Sequence, residues 1–409
     1  MENVGVMKVS IKPLDTIFVR DGRAFGVNDA HAADSIFPPP PRVAFGAWRG
    51  AILAAGGHQF SYWGGSSRGW PGWFGDSNNA GALRQKGPAL SISSEAGERL
   101  LFPLPLDAVL NQEQGSLTPL EVVKMGKEQS SLPLAYGFQT PADKRLAKPK
   151  EALYLTAKKL GEYLTGGKQA LPLTKGMDYF AVRDLWLKED RNNVGIDPDT
   201  YAHVQGRLFS LSHTRPIPGL SLFCDWYAEG EDSEAEEAAN MVQSGSIRLL
   251  NLGGEKKAAE AAPSPPSLDW PPAPTLAVHE QGDKVCFSLY FATPAYFESG
   301  SWPAVDESGR AILQADAFSL EVEVLAAAVG KPFHLGGYDI ARNRQRAVRR
   351  FVPAGSVYIL RTMEPTDKVL DLHANNVGDD AFLRAQGFGL AFLGSLANRP
   401  LDKLSGEGG

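Results

Sequence analysis

Arginine carries five N–H donors in a flat fork that grips phosphate oxygens two at a time and also stacks on nucleobases. Two stretches of this chain concentrate it. In the first, LDTIFVRDGRAFGVNDAHAADSIFPPPPRVAFGAWRGAIL at residues 14–53, the Asp21-Gly22 pair signals a tight turn, because glycine takes positive φ without steric cost. That turn would hold Arg20 and Arg23 together at an exposed tip, with His31 close behind. Pro38 to Pro41 then forbid helix until Arg42, where a helical pattern begins. On that helix Arg42, Gly46 and Arg49 share one face, beside an apolar stripe of Phe45, Trp48 and Ile52. Two readings are open: a cationic face whose glycine admits a phosphate backbone, or a half-buried helix with two solvated arginines.

The second stretch is Arg342-Asn343-Arg344-Gln345-Arg346-Ala347-Val348-Arg349-Arg350, which is denser than an ordinary solvated face. Between Lys331 and Arg361 the only acid is Asp339, whereas Glu229, Glu231, Asp232, Glu234, Glu236 and Glu237 crowd together elsewhere. Such segregation suits one anionic partner and a solvated opposite face, so the arginine run is read as RNA-contacting. A third feature is GFGLAFLG, from Gly387 to Gly394. It lacks the Lys-Ser/Thr of a nucleotide-binding P-loop, since Ser395-Leu396 follow, and Phe392 sits where a dinucleotide fingerprint needs its third glycine. Backbone amides at Gly387, Phe388, Gly389 and Gly394 would then line a nucleic-acid backbone as an anion nest, or the glycines serve close packing at a strand entry.

Acid–base and metal chemistry find little support. The seven histidines are scattered, and neither H-E-x-x-H nor H-x-E with C-x-x-C occurs. Cys224 and Cys286 both lie in strand-like apolar runs and read as buried, inert thiols. No cofactor, metal or catalytic residue is expected. His31 is the one candidate general base for metal-independent RNA cleavage, against the plainer reading of a loop histidine that contacts RNA or water.

These groups must be placed by a framework of strands. Met7, Val9 and Ile11 alternate with Lys8, Ser10 and Lys12, the period of a half-buried strand. Residues 207–215 and 220–227 read as strands joined by Pro216-Ile217-Pro218-Gly219, and the acidic cluster opens a helix towards Val242. Further strands are expected at 247–252, 285–291, 318–325 and 356–361, with helices in the second half of 142–168 and over 374–386. The Trp-rich insertion 62–74, with Trp63, Trp70 and Trp73, is read as pinned to the core by its aromatics rather than stacking on bases. The Ala/Pro segment 258–275 is read as a mobile loop. Strand–helix–strand–strand–helix–strand in the second half is the order of a ferredoxin-like unit, and the first half is compatible with the same unit carrying large insertions.

Composition bounds the rest. The 409 residues exceed a usual single domain, and 43% hydrophobic with 22% charged residues is ordinary for a globular chain. A net charge of -6 argues against a general nucleic-acid coat while leaving room for a local basic surface. No apolar run approaches membrane-spanning length and the N-terminus lacks a signal-peptide core, so a cytoplasmic protein without membrane contact is expected.

Several segments carry a resemblance. LDTIFVRDGRAFG with FPPPPRVAFGAWRGAIL, LFPLPLDAV at 101–109, NNVGIDPDTYAHVQGRLFS at 192–210, IRLLNLGGE at 247–255, KPFHLGGYDI through RRFVPAGSVYIL at 331–360, and GFGLAFLG together resemble the third subunit of the type III-B (Cmr) CRISPR effector complex, in the RAMP superfamily. The resemblance implies an α+β fold of two ferredoxin-like (RRM-like) domains with large loop insertions. We expect the first over 1–215 and the second, with the glycine-rich loop, over 216–409. It implies a non-catalytic subunit that binds the 5′ repeat-derived tag of the CRISPR RNA and meets target RNA only indirectly. Its protein partners would be the large polymerase-type subunit and the backbone RAMP subunit. Arg20, Arg23, Arg42 and Arg49 would hold phosphates, Arg342, Arg344, Arg346, Arg349 and Arg350 would add charge, and the glycine-rich loop would supply amides. The rival is a RAMP-family endoribonuclease that processes precursor CRISPR RNA through His31; a third possibility is a protein–protein bridge whose arginines meet an acidic neighbour.

Overall fold

The computed structural model describes residues 5–20, 32–57, 71–95, 97–111, 115–126, 134–140, 151–166, 170–276, 278–279, 284–305, 310–339 and 342–396. The elements that matter are β1 (Met7–Pro13), α1 (Pro41–Ala55), β2 (Leu83–Ser94), β3 (Gly97–Pro103), β4 (Leu153–Thr156), α2 (Ala157–Gly166) and β5 (Tyr179–Ala181). They continue with β6 (Trp186–Ile196), β7 (His203–Pro216), β8 (Leu220–Ala228), α3 (Ser233–Ala239), β9 (Leu249–Asn251) and β10 (Ala258–Pro263). The last group is β11 (Lys284–Phe291), β12 (Arg310–Gln314), β13 (Ser319–Ala328), β14 (Val357–Thr362), α4 (Thr366–Leu370), α5 (Ala381–Ala385) and β15 (Leu390–Ser395). Strands dominate and helices are few, an α+β chain weighted towards β. Among the described residues no helix is long and apolar enough to cross a membrane.

The chain divides into two compact units, each assembled from three stretches of sequence. The first comprises Met1–Leu90, Leu185–Ser264 and His334–Arg349. Its sheet runs β2–β8–β1–β10–β9, with β8 and β10 both antiparallel to β1. Seven successive residues of β8 are buried, which requires cover on both faces and fits the run LSLFCDW, apolar but for Ser221 and Asp225. α1 supplies part of that cover. Pro41 suits its first position, where the missing N–H would have no intrahelical partner anyway. The helix stops at Gly56, whose N–H returns to the Ile52 carbonyl while the Gly57 N–H donates to Ala54 O. Trp48 stacks on Trp226 of β8 with ring centres 4.8 Å apart. The buried Gln85 of β2 accepts from the Trp226 indole and donates to the Pro41 carbonyl, so these three groups satisfy one another. β6 and β7 form a long antiparallel hairpin joined at its side by the three-residue parallel strand Ala32–Asp34.

The second unit comprises Ser91–Asp184, Pro265–Phe333 and Arg350–Gly409. Its main sheet runs β12–β13–β14–β11–β15, each neighbouring pair antiparallel. One face carries a continuous apolar core including Phe287, Leu289, Phe291, Tyr358, Leu360 and Leu393. Tyr136, on the small hairpin 121–139, packs with Cys286, Ile359 and Leu396 in a second cluster. Both cysteines are buried, and burial pushes the Cys224 thiol well up from its ordinary value.

Two sequence expectations are corrected. The Ala/Pro segment is not a mobile loop: Ala258–Pro263 is a strand in the first unit's sheet, with Ala259 and Ala261 buried on one face. Its continuation in the second unit lays Trp270 near Phe102 and Phe392, at 6.3 and 6.1 Å between ring centres. There the Pro271 carbonyl accepts from His373 Nε2, which leaves Nδ1 to accept from the Leu393 amide. The expected helix over 374–386 shrinks to Ala381–Ala385, capped by Asp380. Ala374 has φ near +55° and Asn375-Asn376 pair with β15, so the chain is extended where the periodicity suggested a helix. The acidic cluster does begin a helix, α3, because Asp232 caps the amides of Glu234 and Ala235, but it ends at Ala239.

Candidate nucleic-acid interface

In the first unit, arginines from two distant stretches converge on one turn. Asp76 Oδ1 accepts from the amides of Asn78 and Asn79 at 2.6 and 2.9 Å, closing the turn on its own side chain. Gly75 and Gly81 both lie at positive φ, and a Cβ on either would strike backbone across the turn. The result is a tight loop whose Phe74, Asp76 and Ser77 carbonyls are taken by arginine side chains. Arg49 donates to Phe74 O at 2.8 Å and Asp76 O at 3.0 Å, with its guanidinium 4.4 Å from the centre of the Phe74 ring. Arg346 donates to Ser77 O at 3.0 Å. With the Asn78 amide turned so that its oxygen faces Arg342, that oxygen accepts from both terminal nitrogens at 2.6 and 3.2 Å. Trp73 donates to Glu234 at 3.1 Å in an exposed hydrogen bond. Trp63 and Trp70 lie outside the described residues.

The arginine run forms a small hairpin on this base. Tyr338 and Asp339 pair with Gln345 and Arg344. Asp339 is buried and bridges the hairpin, accepting from the Arg342 amide and forming an ion pair with Arg346 at 3.2 Å. The Arg346 amide returns to Gly337 O at 2.9 Å. Arg42 reaches across from α1 to donate to Gly336 O at 2.6 Å. Arg342, Arg344, Arg349 and Arg350 are solvent-exposed, while Arg346 and Arg42 are half-buried. The sequence reading missed Tyr338, which stands exposed with its hydroxyl donating to Asn343 at 2.6 Å. Its position beside the Gly336-Gly337 pair and just ahead of the run was a usable signal.

Arg49 is the first correction. It shares the expected face with Arg42 and with the exposed Gly46, but it is only 5% exposed. Burial, with repulsion from Arg346, pushes its pKa down to about 10 against the attraction of Asp76, so it stays charged at neutral pH. A guanidinium sealed against carbonyls and an aromatic ring fastens the turn and is not presented to an external phosphate.

The glycine-rich segment is the second correction, and it concerns Gly387, Phe388, Gly389 and Gly394 together. Its amides already have internal acceptors. Gly387 donates to Arg384 O, Phe388 to Leu383 O, Gly389 to Pro294 O and Leu390 to the Thr293 hydroxyl. The Thr293 hydroxyl donates in turn to Gly387 O. Phe388 is buried and stacks on Phe351 with centroids 4.9 Å apart. Gly389 has φ near +80°, and a Cβ there would run into the Val377 carbonyl. Gly394 lies inside β15 against Ser288 and Leu164, which leave no room for a side chain. Close packing explains Gly389 and Gly394, and a φ near +96° calls for glycine at 387. No amide donor is left facing outwards from Gly387 to Leu390.

Of the first stretch, Arg20 is exposed and its backbone bridges Ser35. Arg23, His31 and the Asp21-Gly22 turn lie outside the described residues. Among the described residues no cluster of three or more His, Cys, Asp or Glu is spaced to hold a metal ion.

A family model described as CRISPR-associated protein (Cas_Cmr3) matches residues 9–396. A comparison with curated proteins gives no match. Among solved structures, a chain of a type III-B Cmr-beta complex bound to cognate target RNA and AMPPnP is similar over 86% of both chains, at 14% identity and a TM-score of 0.46. A chain of a Csm1–Csm4 cassette in complex with pppApA aligns over 86% of both chains, at 13% identity and a TM-score of 0.34. A chain of a Csm3–Csm4 subcomplex of the type III-A interference complex aligns over 86% of this chain and 92% of that one, at 12% identity and a TM-score of 0.34. With the family match running from the first strand to the last, the chain belongs to the Cas_Cmr3 family of CRISPR-associated proteins.

Proposed function

We propose that this protein is a non-catalytic RNA-binding subunit of a type III-B (Cmr) CRISPR ribonucleoprotein. It holds the 5′ repeat-derived tag of the CRISPR RNA and bridges the large polymerase-type subunit to the backbone RAMP subunits. The observation that carries this reading is the exposed arginine hairpin mounted on a braced turn. Arg342, Arg344 and Arg349 face solvent on a stretch of sequence, 331–361, whose only carboxylate, Asp339, is buried and already paired with Arg346. Cationic forks held on a rigid base suit a phosphate backbone, because little ordering is lost when they bind.

The scaffold proposed is a duplicated ferredoxin-like fold. In the first repeat β1, β2, β8 and β10 stand in the order second–third–first–fourth, with α1 after the first strand and α3 after the third. In the second repeat β11, β13, β14 and β15 stand in the same order, with α4 and α5 after the third strand. This correspondence supports two repeats joined after Pro263 rather than at residue 215, since β8 and β10 both pair with β1.

The test is the salt dependence of binding to tag-bearing RNA, measured on the full chain. Replacing Arg344 and Arg349 with alanine should weaken binding and lower the log–log salt slope by about 0.7 for each phosphate no longer neutralised. An unaltered slope and affinity would remove the hairpin from the RNA interface.

A further inference from the structure

Tyr338 is 55% exposed, a large aromatic left in water at the root of the arginine hairpin. It is not loose. Its hydroxyl donates to Asn343 Oδ1 at 2.6 Å, across the hairpin turn, and Asn343 holds φ near +49°, a left-handed conformation that asparagine tolerates better than most residues. Behind it the neighbouring Asp339 is buried, tied to the Arg342 amide and to Arg346. The chain therefore fixes the polar end of the ring and leaves much of its apolar surface uncovered. Exposed Arg342, Arg344 and Arg349 lie on the same short segment, with half-exposed Val348 between them in sequence.

Resting on the reading of this hairpin as an RNA contact, we propose that Tyr338 is a base-stacking platform. An unpaired base of the bound RNA lies on its ring while the flanking arginines hold the adjoining phosphates. Stacking of this kind is tolerant of base identity, because every base offers a π-face. The tyrosine hydroxyl already donates its proton to Asn343, so the ring face, and not an O–H donor, is what this residue offers the base. An aromatic amid cationic forks is the combination that single-stranded nucleic acid requires, and the local excess of positive charge favours RNA over an apolar protein surface as the occupant.

The experiment compares Tyr338→Ala, Tyr338→Phe and Arg344→Ala in the full chain, titrating tag-bearing RNA at several salt concentrations. Tyr338→Ala should weaken binding by about 5- to 150-fold at every salt concentration with the slope unchanged, since stacking releases no counterions. Tyr338→Phe should stay within a few-fold of the parent, which also shows that the hairpin still folds. Arg344→Ala should lower the slope. If Tyr338→Ala binds like the parent while Arg344→Ala lowers the slope, the stacking role is wrong and the phosphate reading stands. If neither substitution changes RNA binding, the reading of the hairpin itself fails. Should Tyr338→Ala leave RNA binding intact but release a neighbouring subunit from the assembled complex, Tyr338 contacts protein and the proposal is overturned.

Discussion

The arginine hairpin around Tyr338–Arg346 and the glycine-rich segment Gly387–Gly394 look like two versions of one device, each able to present N–H donors to phosphate. Folded, they are opposites. The hairpin uses Asp339, Arg346 and the Ser77 carbonyl to brace itself and leaves Arg342, Arg344 and Arg349 exposed. The glycine segment directs every amide from Gly387 to Leu390 inwards, to Arg384, Leu383, Pro294 and Thr293. Absence of a side chain gives access to a backbone amide only if nothing inside the protein has already taken it. A guanidinium, in the same way, is available only in proportion to what it does not already hold, and Arg49 shows the limit.

The largest effect should come from Gly389→Ala. The substitution demands a left-handed backbone of an L-residue and drives its Cβ into the Val377 carbonyl, a cost on the order of 3–4 kcal/mol. Chemical denaturation should show the second unit unfolding far earlier, with RNA affinity of the folded fraction unchanged. If the variant were stable but failed to bind RNA, the glycine segment would be the interface and the contrast would be reversed. Next is Arg49→Met, which keeps much of the buried volume but strips the Phe74 and Asp76 carbonyls of their donor, costing about 1–3 kcal/mol. Arg49→Lys should recover only part of this, since an ammonium cannot fork across two carbonyls and stack on Phe74. Loss of RNA binding without loss of stability would return Arg49 to the interface.

The smallest effect concerns arginines that are matched by carboxylates. At the root of the β6–β7 hairpin, Arg191 and Arg215 meet Asp15 and Glu189. Hydrogen bonds from Arg215 and Arg191 pull the half-exposed Glu189 carboxyl down to about 2 from an ordinary 4.5. A carboxylate with a lowered folded value stabilises the fold above the unfolded value and loses that contribution as pH falls through the folded one. The stability difference between the parent and Glu189→Gln should therefore be present at pH 6 and fade between about pH 4.5 and 2. Solvent screening keeps it small. A difference that persisted unchanged to pH 2 would mean the ion pairs are not its source.

What was legible in the sequence follows from how local each cause is. The Pro-Ile-Pro-Gly turn between β7 and β8, the start of α1 after the prolines and the cap of α3 at Asp232 depend on residues within one turn of each other, and all three were readable. Arg42 and Arg49 were indistinguishable on one helix face, because their difference is made by a turn some 25 residues away whose carbonyls close over Arg49 alone. The glycine segment misled for the same reason, since Pro294 and Thr293 lie far back in the chain. For the Ala/Pro segment a signal existed: Ala259 and Ala261 alternate with exposed neighbours at the period of a strand. Its proline-rich continuation obscured that alternation.

The central claim is that RNA meets the arginine hairpin and not the glycine segment. Its most direct test is ultraviolet crosslinking of tag-bearing RNA in the assembled complex, followed by mapping of the crosslinked peptides. Crosslinks should fall within residues 338–350, at Tyr338 above all, and none within 387–394. Crosslinks confined to 387–394, with the hairpin unmarked, would contradict it.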